Sequence, residues 1–255
     1  MSRAPRRALV TGGSSGIGLA VGRELVARGY DVVLNARRPT VLAEAADEIG
    51  ARHVVGDCAV EEDAAAVVEA AGPVDLLVHA AGMMDGTFVR KESAATFDAV
   101  IAANLRSSFL VARAVLGQMP AGGRIVFVSS SSAHAPQPGK AAYTASKAGL
   151  NAFARALALE VERDGISVHT VTPAPVATPM LDDVHFPMHA LAVEQVAAAV
   201  VWLDTLDPAV VLPEIELRAV NVGPFAPELF VPAAARALGR TDPTDTTGPG
   251  PTRPT

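Results

Sequence analysis

Short apolar runs alternate with longer alanine-rich stretches as far as about residue 220. This alternation restricts the possible folds more than any other feature of the chain. The runs near Ala8–Thr11, Asp31–Asn35, His53–Asp57, Val74–Val78, Gly123–Ser129, Ile166–Val171 and Val211–Ala219 read as strands. Ile17–Arg28, Val41–Ile49, Asp63–Ala71, Ala94–Leu116, Tyr143–Val161 and Val193–Leu203 read as helices. Strand runs such as "LLVHAAG" and "RIVFVSS" are continuously apolar rather than alternating, so both faces of each strand are expected to be covered, as in a parallel sheet. Repeated strand–helix–strand units with right-handed crossovers predict an α/β fold with a doubly wound parallel sheet of about seven strands.

The 255 residues suit one large α/β domain. Half are hydrophobic and 19% are charged, so the chain can bury a sizeable core. Aromatics are only 4%, so that core must be built from small aliphatic side chains. The net charge of −6 comes with no basic stripe, which argues against a nucleic-acid partner. No apolar run reads as a membrane span, and the N-terminus has no apolar signal-peptide core. One cysteine, Cys58, excludes an internal disulfide, and a cytoplasmic location is expected. The domain is expected over residues 1–220. Residues 221–238 read as a docked helix or a partner contact, and the Pro/Gly/Thr-rich stretch 239–255 as disordered.

The first strand runs into "TGGSSGIG", Thr11–Gly18, which opens the first helix. Backbone N–H groups at such a turn, together with the helix dipole, can face a pyrophosphate. Glycine removes the Cβ that would block its approach. Gly12, Ser14, Ser15, Gly16, Ile17 and Gly18 are therefore candidate dinucleotide contacts. The Gly-Lys-Ser/Thr ending of a triphosphate loop is missing, which disfavours ATP and GTP. A ligand-free tight turn is the alternative for the glycines alone. After the second strand, where an acid would bind a ribose hydroxyl, stand Ala36, Arg37 and Arg38. Guanidinium groups suit a 2′-phosphate, so NADP(H) is the expected cofactor. A solvated arginine pair is the alternative. Asp57 can accept from an adenine amino group or serve as a helix cap, and Cys58 reads as a small residue beside the adenine.

Tyr143 and Lys147 are one helical turn apart on one face. A neighbouring ammonium favours the phenolate, which would make Tyr143 usable for acid–base work near neutral pH. Ser130 ends a strand, where a hydroxyl can reach a carbonyl oxygen in the crevice. A lone Tyr-x-x-x-Lys is ordinary on helix surfaces. The order is what is specific: glycine turn, Asn104 in a mid-chain helix, Ser130, then Tyr143 and Lys147.

With these parts in order, the sequence resembles the short-chain dehydrogenase/reductase family over about residues 6–220. The residues that carry the resemblance are "TGGSSGIG", Asp57, "HAAG" at 79–82, Asn104–Leu105, Ser130, "YTASK" and "TPAPVATPM" at 172–180. The resemblance implies a Rossmann-like sheet in the order 3-2-1-4-5-6-7. It also implies a catalytic set: Asn104 positions a relay water, Ser130 polarises the carbonyl, Tyr143 transfers the proton, and Lys147 lowers the tyrosine pKa and binds the nicotinamide ribose. Ala81, Gly82, Pro173, Val176 and Thr178 join the expected cofactor contacts, the last two at the nicotinamide carboxamide. Three departures stand out. His79 and Ala80 replace the family's two asparagines, Ala174 replaces a frequent glycine, and the last strand lacks a diglycine ending. The segment Leu181–Leu191 is short for a substrate lid, which suggests an open site or one closed by a partner chain.

The six histidines carry no metal signature. His185 and His189 have i,i+4 spacing but enclose a proline and have no third ligand. Met84, His134, Ala174, Met180 and Phe186 fall on loops expected to border a mostly apolar substrate pocket. For His134 an exposed loop position is the alternative. Alanine-rich faces of the two long helices suit pairing into a homodimer or homotetramer. The leading expectation is an NADP(H)-dependent oxidoreductase acting on a small carbonyl compound or the matching alcohol. A dinucleotide-binding regulator without turnover is the alternative. A sugar-nucleotide epimerase would need a larger substrate domain.

Overall fold

The computed structural model describes residues 5–185, 187–220 and 229–241. Phe186 and the stretch 242–255 of the expected disordered tail lie outside the described residues. Seven parallel strands form the main sheet: β1 Arg7–Thr11, β2 Asp31–Ala36, β3 Arg52–Val55, β4 Leu76–His79, β5 Arg124–Val128, β6 Ser167–Pro173 and β8 Glu214–Leu217, in the order β3-β2-β1-β4-β5-β6-β8. This is the expected order, with β8 as the seventh strand. A separate antiparallel pair joins β7 Met188–His189 to β9 Leu229–Phe230.

The helices are α1 Gly16–Ala27, α2 Pro39–Ile49, α3 Glu61–Ala71, α4 Ala94–Ile101, α5 Ser107–Leu116, α6 Ala141–Val161, α7 Val193–Leu203 and α8 Ala233–Ala237. Side chains alternate across the strands, so neighbouring strand residues feed two cores. Leu9, Leu77, Ile125 and Phe127 pack with Val67 and Val68 of α3, Val111 of α5 and Leu150 of α6. Val10, Val78, Val126 and Val171 pack on the other face with Val21 and Leu25 of α1, Leu42 of α2 and Val196 and Val200 of α7. The edge strand β3 departs from the expected two-sided burial, because Arg52, His53 and Val55 are exposed.

Ala94–Leu116, read from sequence as one helix, is α4 and α5 joined by a π-helical turn, Ala102–Arg106. The described rod is 23 residues with mean hydropathy 1.5, long and apolar enough by those measures to cross a membrane. The expectation that no run reaches that length is corrected here. Within the fold, α4 packs on α6 and α5 packs on α3.

Candidate active site

The site forms at the carboxyl ends of β1, β2, β4 and β5, where the strands hand over to loops. Gly12 follows β1 with φ +69°, and a Cβ there would lie 2.7 Å from Ala81 N. A Cβ on Gly18 would strike Gly12 O, so α1 can pack onto the turn only because both positions are glycine. These residues line a cleft of about 410 Å³. Gly12, Ser14, Ser15, Gly16, Ile17, Gly18, Arg37, Arg38, Asp57, Cys58, Ala81, Gly82 and Thr178, all expected at the cofactor, border it. Pro173 and Val176 are buried and do not line it. Pro173 ends β6, and Val176 bridges to Leu191. A cleft floored by glycines that carry no side chain and hold the backbone turn tight fits a dinucleotide.

Arg37 Nη1 stands 3.8 Å from Asp57 Oδ2, so the cation expected to hold a 2′-phosphate already neighbours the acid expected at the adenine. Asp57 does not cap α3, whose N-cap residue is Val60. Its own N–H donates to Asp63 Oδ2 at 2.8 Å. Cys58 Sγ donates to Asn35 Oδ1 at 3.0 Å, and burial, reinforced by Asp57, pushes its thiol up to about 12. It is therefore inert, as expected of a small residue at the cleft wall.

The candidate proton-transfer residues are on α6 and just past the end of β5. Tyr143 is buried, and the Ser130 side chain is near enough to its hydroxyl to favour the ionised form. Ser130 Oγ accepts from Ser132 N–H at 3.2 Å. Lys147 is fully buried, and its Nζ donates to Val128 O at 3.0 Å. The ammonium lies 5.9 Å from the centre of the Tyr143 ring. Both side chains lie on one side of α6 and neither lines the cleft itself, and the electrostatics differ from the sequence expectation. Burial raises the Tyr143 phenol above its ordinary value, and Ser130 offsets this only in part. Burial alone lowers Lys147 to about 8. Desolvation disfavours both charged forms, and neither shift carries a contribution from the other group.

Asn104 is held by the π-helical turn and is fully buried. Its Nδ2 donates to Met83 O and Ser146 Oγ, both at 2.9 Å, and its Oδ1 accepts from Met83 N–H at 2.8 Å. Asn104 thus ties the loop after β4 to α6. A Cβ on Gly82 would lie 2.7 Å from Asn104 Oδ1 and 3.6 Å from Lys147 Nζ, which brings the cleft wall against the catalytic candidates.

His79, a departure from the family pattern, is completely buried. Ser107 Oγ donates to Ala103 O at 2.7 Å, so it accepts from His79 Nε2–H at 3.1 Å. His79 Nδ1 then accepts from Thr11 Oγ1 at 2.8 Å. Thr11 Oγ1 in turn accepts from Ala81 N–H at 3.4 Å. The ring therefore links the glycine turn, β4 and the start of α5. Burial, helped by the Lys147 charge, drives its pKa down to about 3.

On the substrate side, Val100, Ala142 and Tyr143 form an apolar cluster with Met83 and Met84. Met180 borders the cleft, and Ala174 packs into the core beside it. His134 is taken up by Glu214, whose carboxylate also accepts from Asn151 Nδ2 and Thr172 Oγ1. Sequence reading missed Asn35, Gly56, Ala103 and Ser107 as cleft residues. A lone Asn in the apolar run "VVLNA" was the available signal. Its Nδ2 donates to Val54 O and Gly56 O, holding β3 to β2 at the adenine end. Among the described residues no group of three or more His, Cys, Asp or Glu could hold a metal ion.

A doubly wound sheet with a glycine turn after its first strand and a Ser–Tyr–Lys group beside the same cleft defines a dinucleotide-dependent oxidoreductase. The short chain dehydrogenase family pattern matches residues 6–186. An acetoacetyl-CoA reductase of Allochromatium vinosum is 37% identical over 223 residues, covering 78% of this chain and 90% of that protein. The crystal structure of BdcA in complex with NADPH superposes with TM-score 0.77 at 30% identity, covering 84% of this chain and 93% of that one. A short chain dehydrogenase from Burkholderia cenocepacia in complex with NADP gives TM-score 0.74 at 29% identity, covering 84% and 95%. The chain belongs to the short-chain dehydrogenase family.

Proposed function

We propose that the protein is an NADPH-dependent carbonyl reductase, reversible as a secondary-alcohol dehydrogenase. The observation that carries this reading is the buried Tyr143 hydroxyl with Ser130 beside it, the Lys147 ammonium 5.9 Å from the Tyr143 ring and Gly82 between that ammonium and the cleft. The glycine turn, Arg37, Arg38 and Asp57 would hold NADP(H), which when bound supplies or takes a hydride at the carbonyl carbon. Ser130 Oγ donates to the carbonyl oxygen as negative charge develops on it. Tyr143 delivers the proton to that oxygen, and such preorganised donors carry most of the rate gain. Lys147 has one hydrogen bond to Val128 O, which leaves ammonium protons for the ribose side and for returning a proton to Tyr143. Asn104 holds the Met83 loop against α6 and retains one Oδ1 lone pair for a relay water.

Names of relatives and the apolar cluster around Met83 and Met84 direct the choice of substrates. The test is loss of NADPH absorbance with a panel of acetoacetyl thioesters, apolar ketones and charged ketones. Turnover on the first two groups supports the reading. Tight NADPH binding without turnover on any would favour a dinucleotide-binding regulator. The exposed Phe97 and Phe109 on the α4–α5 rod support a homodimer or homotetramer. A monomer mass by light scattering would rule that out.

A further inference from the structure

The segment beyond the family-matched residues returns to the stretch that follows the cleft-lining Thr178–Met180. Leu181–Leu191 is anchored at its far end, where Leu191 N–H donates to Pro175 O at 2.8 Å and Ala177 N–H donates to Leu191 O at 2.9 Å. The C-terminal residues attach along its middle. Ala234 N–H donates to Asp182 O at 2.8 Å, and Arg240 Nη1 donates to His185 O at 2.8 Å. Met188 pairs with Phe230 and His189 with Leu229 as antiparallel strands. Ala235, in the short helix α8, is completely buried. The attachments fall at Asp182, His185, Met188 and His189, so they hold the described parts of the segment at several points and not at one.

We propose that residues 229–241 act as a clasp on Leu181–Leu191 and thereby determine which carbonyl compounds the cleft accepts. This rests on the carbonyl-reductase reading above. The sequence suggested a short lid, and so an open site or one closed by a partner chain. The clasp supplies from the same chain the support such a lid needs. A segment ordered before substrate arrives spares binding the entropy of ordering it, so its contacts act fully in selection. Among the described residues the clasp's hydrogen bonds outside itself go to the 182–189 stretch and none goes to the glycine turn, Ser130, Tyr143 or Lys147, so its loss is expected to fall on substrate and not on dinucleotide.

The test compares full-length wild type with Ala235→Asp, which places a carboxylate in the buried seat of α8, and Arg240→Ala, which removes one attachment. Hydrogen–deuterium exchange is followed by peptide, together with steady-state kinetics and the NADPH dissociation constant. In Ala235→Asp, exchange over 181–191 should rise while peptides of β1, α1 and α6 keep wild-type protection. The Michaelis constant for the preferred ketone should rise about tenfold, with kcat less affected. NADPH affinity should stay within about twofold, and the ranking of ketones should flatten. Arg240→Ala should move in the same direction by less, and it keeps the test open if Ala235→Asp does not fold. Unchanged exchange over 181–191 in both variants overturns the clasp. Faster exchange with unaltered substrate preference overturns its role in selection. A wild type that binds NADPH but reduces no ketone defeats the carbonyl-reductase reading and the selective role with it, while the exchange data still decide the clasp.

Discussion

At Tyr143, burial and not the neighbouring ammonium sets the resting state of the phenol. In reduction this suits a proton donor, which must be protonated before it acts. Tyr143→Phe keeps the ring and its packing, so NADPH binding should stay near wild type while kcat falls by roughly two to four orders of magnitude. Stopped-flow binding and steady-state turnover check the two halves. Arg37→Ala combined with Arg38→Ala should raise the Michaelis constant for NADPH about tenfold or more and leave that for NADH within about twofold. Equal effects on both cofactors would show that the arginines only hold the loop. His79 gives a pH prediction. The unfolded imidazole takes a proton near its ordinary value of 6.5, whereas the folded one does so only near 3. More protons are then bound by the unfolded state across that window, so His79's contribution is complete above pH 6.5 and is lost as pH falls toward 3. Thermal melts from pH 7 to 4 should fall more steeply for wild type than for His79→Asn, which keeps a polar link without the titration. Parallel curves would refute the assignment.

The β1–α1 turn and the α4–π–α5 rod do most of the positioning at the level of elements. Gly18→Ala would drive a methyl into Gly12 O, with backbone on both sides and no flexible side chain to yield. A loss of roughly 2 kcal/mol or more in stability and weaker NADPH binding are expected, measurable by denaturant unfolding and titration. A silent Gly18→Ala would mean the turn can open. The element pattern was legible in sequence to within a few residues because strands in a two-sided parallel sheet must be continuously apolar and helices must show a stripe. The π-helical turn was not legible. Ala102–Arg106 has no residue that breaks helix periodicity, and the wide turn is set by Asn104 reaching Met83 and Ser146. The β7–β9 pair was equally hidden. Two-residue strands carry no periodic signal, and their pairing joins segments about forty residues apart.

For the whole molecule, dinucleotide binding and folding are linked because the cleft spans β1, β2 and β4 and the π-helical turn. NADPH at about a hundred times its dissociation constant should add roughly 2.7 kcal/mol to stability, and NADH at the same concentration less. Equal shifts in melting temperature would argue against the proposed phosphate preference. The order of strands is implied by the family resemblance, whereas the alternation of strands and helices, the glycine turn, the Ser130, Tyr143 and Lys147 spacing and the arginine pair follow from residue type and spacing along the chain. Such features are local, or repeat with the period of the element that carries them. Which groups meet across the fold is decided by packing. His79 faces Thr11 and Ser107, His134 is captured by Glu214, and the phenol of Tyr143 is raised rather than lowered. Each of these depends on distance and desolvation between residues far apart in the chain, and those quantities exist only once the sheet has closed around them.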